Sequence, residues 1–209
     1  MTEGFTYVIE HMEDDDEVSK TVPPWVDLEY ARISCSTCEP LQVLDLAYTS
    51  RIYPKHLHKP SNPRILEIIK QEFHGSLGKV CLLDPKAEKE LSPEDGDGRF
   101  QWFLFGGILG DDPPRDRTSE LRVLGIPSRH LGSVQMTTDT ALGVTKRVVH
   151  DKVPLDKIEY IDFPNITFNR KESVEMPFRY MVEESTREPL LPPGMRKLLH
   201  EDLNKSFDF

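Results

Sequence analysis

The sequence predicts an α/β fold built on a mainly parallel sheet flanked by helices. Two observations carry that prediction. Short apolar runs suited to buried strands alternate along the chain with segments of helical period. One of those runs, KVCLLDP at Lys79 to Pro85, is apolar across its middle, as central parallel strands are, rather than alternating. With 209 residues, one main domain with an appendage is the natural organisation. The boundary is placed at Pro154: residues 5–154 form the core, and 155–209 form a C-terminal extension packed on it and covering its cleft.

Phe5 to Ile9 is the first strand candidate. Val26, Tyr30 and Ile33 then recur at helical spacing behind Pro23 and Pro24. Gln42 to Tyr48 is a second strand. Ile65, Ile68, Ile69 and Phe73 make a clear helical stripe, with Pro63 suited to its first turn and Gly75 to its C-terminal cap. After KVCLLDP and an acidic linker, FQWFLF forms the next strand, Thr118 to Leu124 a short helix, and Ser128 to Leu131 another strand. From Thr138 onward Ala141, Val144, Thr145, Val148 and Val149 form a long apolar face ended by Pro154. Residues 155–209 are richer in proline and less periodic, with a strand over Phe178 to Val182 and a terminal helix on Met195, Leu198, Leu199 and Leu203.

Composition limits the partners. The net charge of -10 repels nucleic acid and favours a basic partner. The N-terminus carries no targeting pattern and no apolar run is long enough to span a bilayer, so a cytoplasmic, membrane-free protein is expected. Three cysteines, one of them inside an apolar run, do not make a disulfide framework. Cys35 and Cys38 with His56 and His58 lack zinc-ligand spacing, and no metal is expected.

The stretch FLFGGILGDDPPRDRT, Phe103 to Thr118, uses three glycines and two prolines where an ordinary turn needs one or two breakers. In open α/β sheets ligands bind beyond the carboxyl ends of the strands. Three loops follow strands here: Leu83 to Pro85, Phe105 to Asp116, and LGSVQMTTDT at Leu131 to Thr140. FGGILG is not GxGxxG and no GK[ST] follows it, which disfavours a nucleotide phosphate. A ligand approached by main chain and held in an apolar slot, such as adenosine, fits better.

The blocks IEHME, VCLLDP, FGGILGDDPPRDRT, RHLG, QMTTDTA and EMPFRY, spread from about Tyr7 to Gly194, resemble the SPOUT class of S-adenosylmethionine-dependent methyltransferases. Within it they are most similar to the fungal protein arginine methyltransferases that modify a small-subunit ribosomal protein. The resemblance implies a parallel-sheet fold threaded into a trefoil knot, an exception to the rule against knotted chains. It also implies S-adenosylmethionine as cofactor, with Leu83, Phe105, Gly106, Gly107, Gly110, Leu131, Gly132, Gln135, Met136, Thr137 and Thr138 lining its site.

An arginine acceptor explains the acids beside the glycines. A guanidinium is always protonated in water, and carboxylates can hold it and take the proton it must lose. Asp111, Asp112 and Asp116 are the catalytic candidates, and Glu10, Arg115 and Glu175 the substrate-binding ones. Each has a plainer reading: Asp112 can start a turn, Asp116 or Thr118 can cap a helix, and Thr137 to Asp139 sit where a helix start wants capping groups. Two other functions are weighed against this one. An RNA methyltransferase would need a patch from Lys55, Lys59, Arg64, Arg115, Arg117, Arg122 and Arg129, and a non-catalytic interaction protein would not need an intact cofactor loop. A monomer is favoured over a homodimer because the segment Asp162 to Tyr180 can cover the cleft within one chain.

Overall fold

The computed structural model describes residues 5–11, 24–35, 65–107, 116 and 118–205. A four-stranded, wholly parallel sheet is its centre, with strands β1 (Thr6–His11), β2 (Val80–Leu83), β3 (Trp102–Gly107) and β4 (Ser128–Arg129) in the order β1-β3-β2-β4. Gln42 to Tyr48 lies outside the described residues.

Alternation along the strands sorts the core into two faces. Val8, Leu104 and Leu82 stand in register across β1, β3 and β2, and their face packs on Ile65 and Ile69 of α2 (Ile65–Phe73) and on Leu121 of α3 (Ser119–Arg122). Ile9, Phe105 and Leu83, one residue on, point to the opposite face. There they meet Val26, Tyr30 and Ile33 of α1 (Pro24–Cys35) and Leu142 and Val148 of α4 (Thr138–Val149). All four residues of β2 are buried because both of its faces are covered. Cys81 belongs to this core, and burial pushes its thiol up to about 12, which makes it inert.

Helix boundaries follow from local chemistry. Gly75 takes φ +83° just past α2, the left-handed position that favours glycine after a helix. The α4 helix stops at Val149, short of Pro154, and Lys152 turns the chain with φ +60°. Proline therefore follows this helix without ending it.

The sequence pattern of residues 155–209 led to one strand and a terminal helix. The structure has four three-residue strands there: β5 (Tyr160–Asp162) paired antiparallel with β8 (Arg179–Met181), and β6 (Asn165–Thr167) with β7 (Ser173–Glu175). Three residues are too few to display a period of two, so only β8 was legible. With α5 (Met195–Lys205) these strands enclose a satellite core of Ile166, Met176, Phe178 and Tyr180. α5 touches α1 and β8 touches α4, so the segment packs on one face of the sheet-and-helix layers. No helix among the described residues is long and apolar enough to cross a membrane.

Candidate active site

Because β2, β3 and β4 are parallel, their carboxyl ends share one edge, and a cavity of about 340 Å³ opens there. Leu83, Phe105, Leu131, Met136 and Ala141 give it apolar walls, and Gly106, Gly132, Gln135 and Thr138 are also among its lining residues. Gly132 has φ +104° and its N–H donates to His130 Nδ1 at 3.1 Å, a backbone state that a side chain at this position would strain. The C-terminal segment holds this loop in place: the Arg179 N–H donates to the Gln135 carbonyl at 2.9 Å. Arg179 is itself fixed by two hydrogen bonds to Asp162, at 2.6 and 2.8 Å.

One wall is an ion network. Arg122 makes a bidentate pair with buried Asp84, Nε to Oδ2 at 2.6 Å and Nη2 to Oδ1 at 2.7 Å, and reaches Asp116 at 3.0 and 3.1 Å. The Lys86 ammonium donates to Asp116 Oδ2 at 2.6 Å, and the Lys86 N–H to Asp84 Oδ1 at 2.9 Å. These contacts tie the end of β2 to α3 and to Asp116. Hydrogen bonds from Arg122 and then Lys86 hold the Asp116 carboxyl down at about 2.

Behind the cavity, α4 begins Thr138-Asp139-Thr140 after its N-cap residue Thr137, whose side chain makes no capping bond. Glu29 of α1 accepts the backbone N–H groups of Thr138 and Asp139 instead, a cap supplied from another helix. Asp139 is paired with Arg32 at 2.6 Å, Arg32 also donates to the Leu190 carbonyl at 2.8 Å, and the Thr137 hydroxyl donates to Asp139 at 2.6 Å. Burial, and then the charge of Asp139, push the Glu29 carboxyl well above the usual range. Burial also raises Asp139, opposed first by the Arg32 guanidinium and then by the Thr137 hydroxyl, so the shared proton belongs on Glu29.

Known proteins give this geometry its setting. The sequence pattern of SFM1-like protein arginine N-methyltransferases matches residues 6–206. The chain belongs to that family. A Saccharomyces cerevisiae relative, protein arginine N-methyltransferase SFM1, is 40% identical over 215 residues, covering 97% of this chain and 97% of the yeast protein. A crystal structure of the yeast arginine methyltransferase SFM1 complexed with SAM matches with a TM-score of 0.76 at 37% identity, over 95% of this chain and 91% of that one. Its counterpart complexed with SAH matches at 0.75 and 36%, over 93% and 94%.

Within this family framework the expected residues separate into four groups. Leu83, Phe105, Gly106, Leu131, Gly132, Gln135, Met136 and Thr138 share the 340 Å³ cavity. Thr137 does not join them: the chain is extended there, ψ 158°, so its side chain points away from those of its neighbours and bonds to Asp139 and Thr140. Gly107 ends β3 opposite His11, and Glu10 pairs with Gly106 on the strand register, which brings the end of β1 to the same edge. Gly110, Asp111, Asp112 and Arg115 lie outside the described residues, as do Cys38, His56 and His58. Among the described residues no cluster of His, Cys, Asp and Glu could hold a metal.

Two expectations change. Asp116 lines the cavity but its carboxylate is occupied by two cations, and a group held at about 2 is a poor proton acceptor near neutral pH. Its place is in the wall. Glu175 stands at a second cavity, described below, away from the first. Sequence reasoning missed Asp84, Lys86 and Glu29 because each works through a partner remote in sequence. The basic patch considered for RNA is also reduced: Arg122 is committed to Asp84 and Asp116, and Arg129 to Asp95 at 2.9 Å.

Proposed function

We propose that this chain transfers a methyl group from S-adenosylmethionine to an arginine of a small-subunit ribosomal protein, acting as a monomer in the cytoplasm. The observation that carries the reading is the cavity at the sheet's carboxyl edge, lined by eight of the eleven positions that the resemblance assigns to the cofactor, in a chain of this family. Its residues fit such a group. Leu83, Phe105, Leu131 and Met136 offer an apolar slot for adenine, and Gly106 and Gly132 leave the main chain open to polar atoms of the ligand.

When bound, S-adenosylmethionine supplies an activated methyl group. The chain's residues do the rest. Asp111 and Asp112 follow Gly107 by four and five residues, a span of at most about 18 Å from the end of β3. In this reading they clamp the acceptor guanidinium, and one of their oxygens takes the proton that the attacking nitrogen sheds as its bond to carbon forms. Glu10, at the end of β1, and Arg115 help to seat the acceptor, while the Arg122 network holds the adjoining wall.

The reading includes a trefoil knot in the 5–154 core and a 155–209 extension that covers the cleft in cis. The Arg179 bond to Gln135 supports the second of these. An RNA acceptor is disfavoured by the -10 charge and by the commitment of Arg122 and Arg129 to acids. The test is transfer of labelled methyl from S-adenosylmethionine to cell extract, followed by ribonuclease or protease. Label lost to protease, and recovered as methylarginine after hydrolysis, is the expected result. Label lost to ribonuclease would overturn it.

A further inference from the structure

A second cavity, of about 260 Å³, lies on the other side of the α4 N-terminus and shares no lining residue with the first. Met136 and Thr138 face the first cavity, Thr137 and Asp139 the second. Its floor is polar and buried: Glu29 is 3% exposed and Tyr180 1%. Trp25, Phe178, Leu191 and Leu199 form apolar walls, and the exposed residues Glu175 and Pro177 stand at its mouth.

Glu29 Oε2 and the Tyr180 hydroxyl on this floor are both buried and have no hydrogen-bond partner among the described residues. Glu29 meets the helix N–H groups through its other oxygen, so Oε2 is free for the cavity. Leaving such groups unsatisfied is costly, and buried polar atoms are nearly always paired. The two therefore call for a polar occupant.

The surroundings define its chemistry. Asp139 and Glu175 disfavour an anion, and a purely apolar occupant would leave Oε2 and the phenol unpaired. A cation at the tip of an aliphatic stem satisfies every wall: on entering it displaces the proton that Glu29 holds in the free protein, releases it to solvent and pairs with the carboxylate so formed, while its stem lies along Leu191 and Leu199 and its head can stack on the Trp25 ring. A guanidinium does this better than an ammonium, because its planar fork presents donors in two directions at once, one for the carboxyl and one for the phenol. Size permits it. An arginine side chain beyond Cβ has six heavy atoms, as benzene has, and benzene fits an engineered cavity of about 150 Å³.

We propose that this cavity anchors a second arginine of the protein substrate, distinct from the arginine that receives the methyl group. The inference rests on the methyltransferase reading for the partner's identity, but the guanidinium site stands on its own geometry. Glu175, expected from the sequence to bind substrate, does so here at the mouth of the anchor.

The experiment is a nuclear magnetic resonance titration of the full chain with N-acetyl-arginine methylamide, and with its neutral citrulline counterpart. Saturable shifts at the Trp25 indole N–H and at the amides of 174–180 are expected, with at least tenfold weaker binding for citrulline and for Glu29→Gln. Gln keeps the oxygen that caps α4, and an unchanged melting temperature checks that the fold is intact. Glu175→Gln, at an exposed position, is the second variant and should weaken binding threefold or more. Equal binding of the two amides, indifference to both substitutions, or shifts confined to 131–136 would each overturn the anchor. Methyl transfer to extract is measured on the same preparation: transfer without arginine binding at Trp25 sinks the anchor alone, whereas arginine binding there without transfer keeps the site and sinks the functional reading.

Discussion

Replacing Arg32 by Met tests whether the first cavity is held from behind by a buried ion pair. Arg32 is 12% exposed and its partner Asp139 1%, at 2.6 Å, so the substitution strands a carboxylate in the interior. Removing one partner of a buried pair costs about 3–5 kcal/mol. Protonation sets a ceiling: neutralising a carboxyl of ordinary pKa, about 3.9, at pH 7 costs about 1.36 × 3.1, or about 4 kcal/mol. Loss of the bond to the Leu190 carbonyl adds about 1 kcal/mol. For a chain of this size each kcal/mol lowers Tm by about 2–4 °C, so a drop of about 10–15 °C is expected. The pH dependence gives the sharper signature. In the variant the folded pKa of Asp139 lies above its unfolded value, so the folded state binds more protons and loses stability as pH rises from the ordinary carboxylate range through that folded pKa. The gap between variant and wild type should therefore narrow by about 1.4 kcal/mol per unit as pH is lowered from 7 towards 5. Urea denaturation of both proteins at pH 5, 6 and 7 measures it. A gap under about 1 kcal/mol, or one that ignores pH, would refute the argument.

Asp111→Asn and Asp112→Asn should leave cofactor affinity within about twofold, and at least one should lower turnover by about 10²-fold or more, the usual cost of losing a general base; equal losses of both quantities, by calorimetry and methyl transfer, would mean that the acids shape the loop. Gly106→Val should abolish cofactor binding in calorimetry while the fold persists, because a branched side chain would fill the cavity that Gly106 lines. Gly96→Ala should cost about 1–3 kcal/mol in denaturant titration, since its Cβ would run into the Val149 carbonyl oxygen, which is main chain and cannot step aside. Gly143→Ala is the contrast: its Cβ would meet the Met181 methyl and sulfur, the movable end of a flexible side chain, and helix propensity returns up to about 1 kcal/mol, so little or no loss is expected.

What the sequence disclosed follows from how far each signal reaches. The central strands were legible because both their faces are buried, which makes VCLL and WFLF continuous apolar runs. The α1 and α4 stripes were legible because each packs one face on the sheet. The lining of the first cavity was legible through the three loops, since position after a strand and unusual composition coincide there. Partnerships were not. Nothing local to Arg122 announces Asp84, 38 residues away, and nothing local to Glu29 announces that it caps a helix more than a hundred residues on. The same blindness hid the neighbours of Asp116: nothing local to an acid beside glycines announces that Lys86 and Arg122 fold against it.

The placement of acids then bears on how a basic protein would be received. Around the first cavity the acids of the described wall are matched by cations, Asp84 and Asp116 by Arg122 and Lys86, so that wall contributes shape with little net charge. On the far side of α4 Arg32 pairs with Asp139, and Glu175 stands exposed at the cavity mouth with no ion-pair partner among the described residues. A cationic chain approaching the molecule meets exposed acid at that mouth, while the described wall beside the predicted cofactor pocket is already neutralised. The division makes chemical sense for a methyltransferase. The cofactor's reactive sulfonium is itself positive, and a strongly anionic wall around it would favour the charged cofactor over the neutral product and so oppose turnover. In the proposed arrangement Asp111 and Asp112 hold only the acceptor at the site of transfer, further charge that attracts the substrate is kept a short distance away, and the N-terminus of α4, with Thr138 on one side and Thr137 and Asp139 on the other, is the partition between the two.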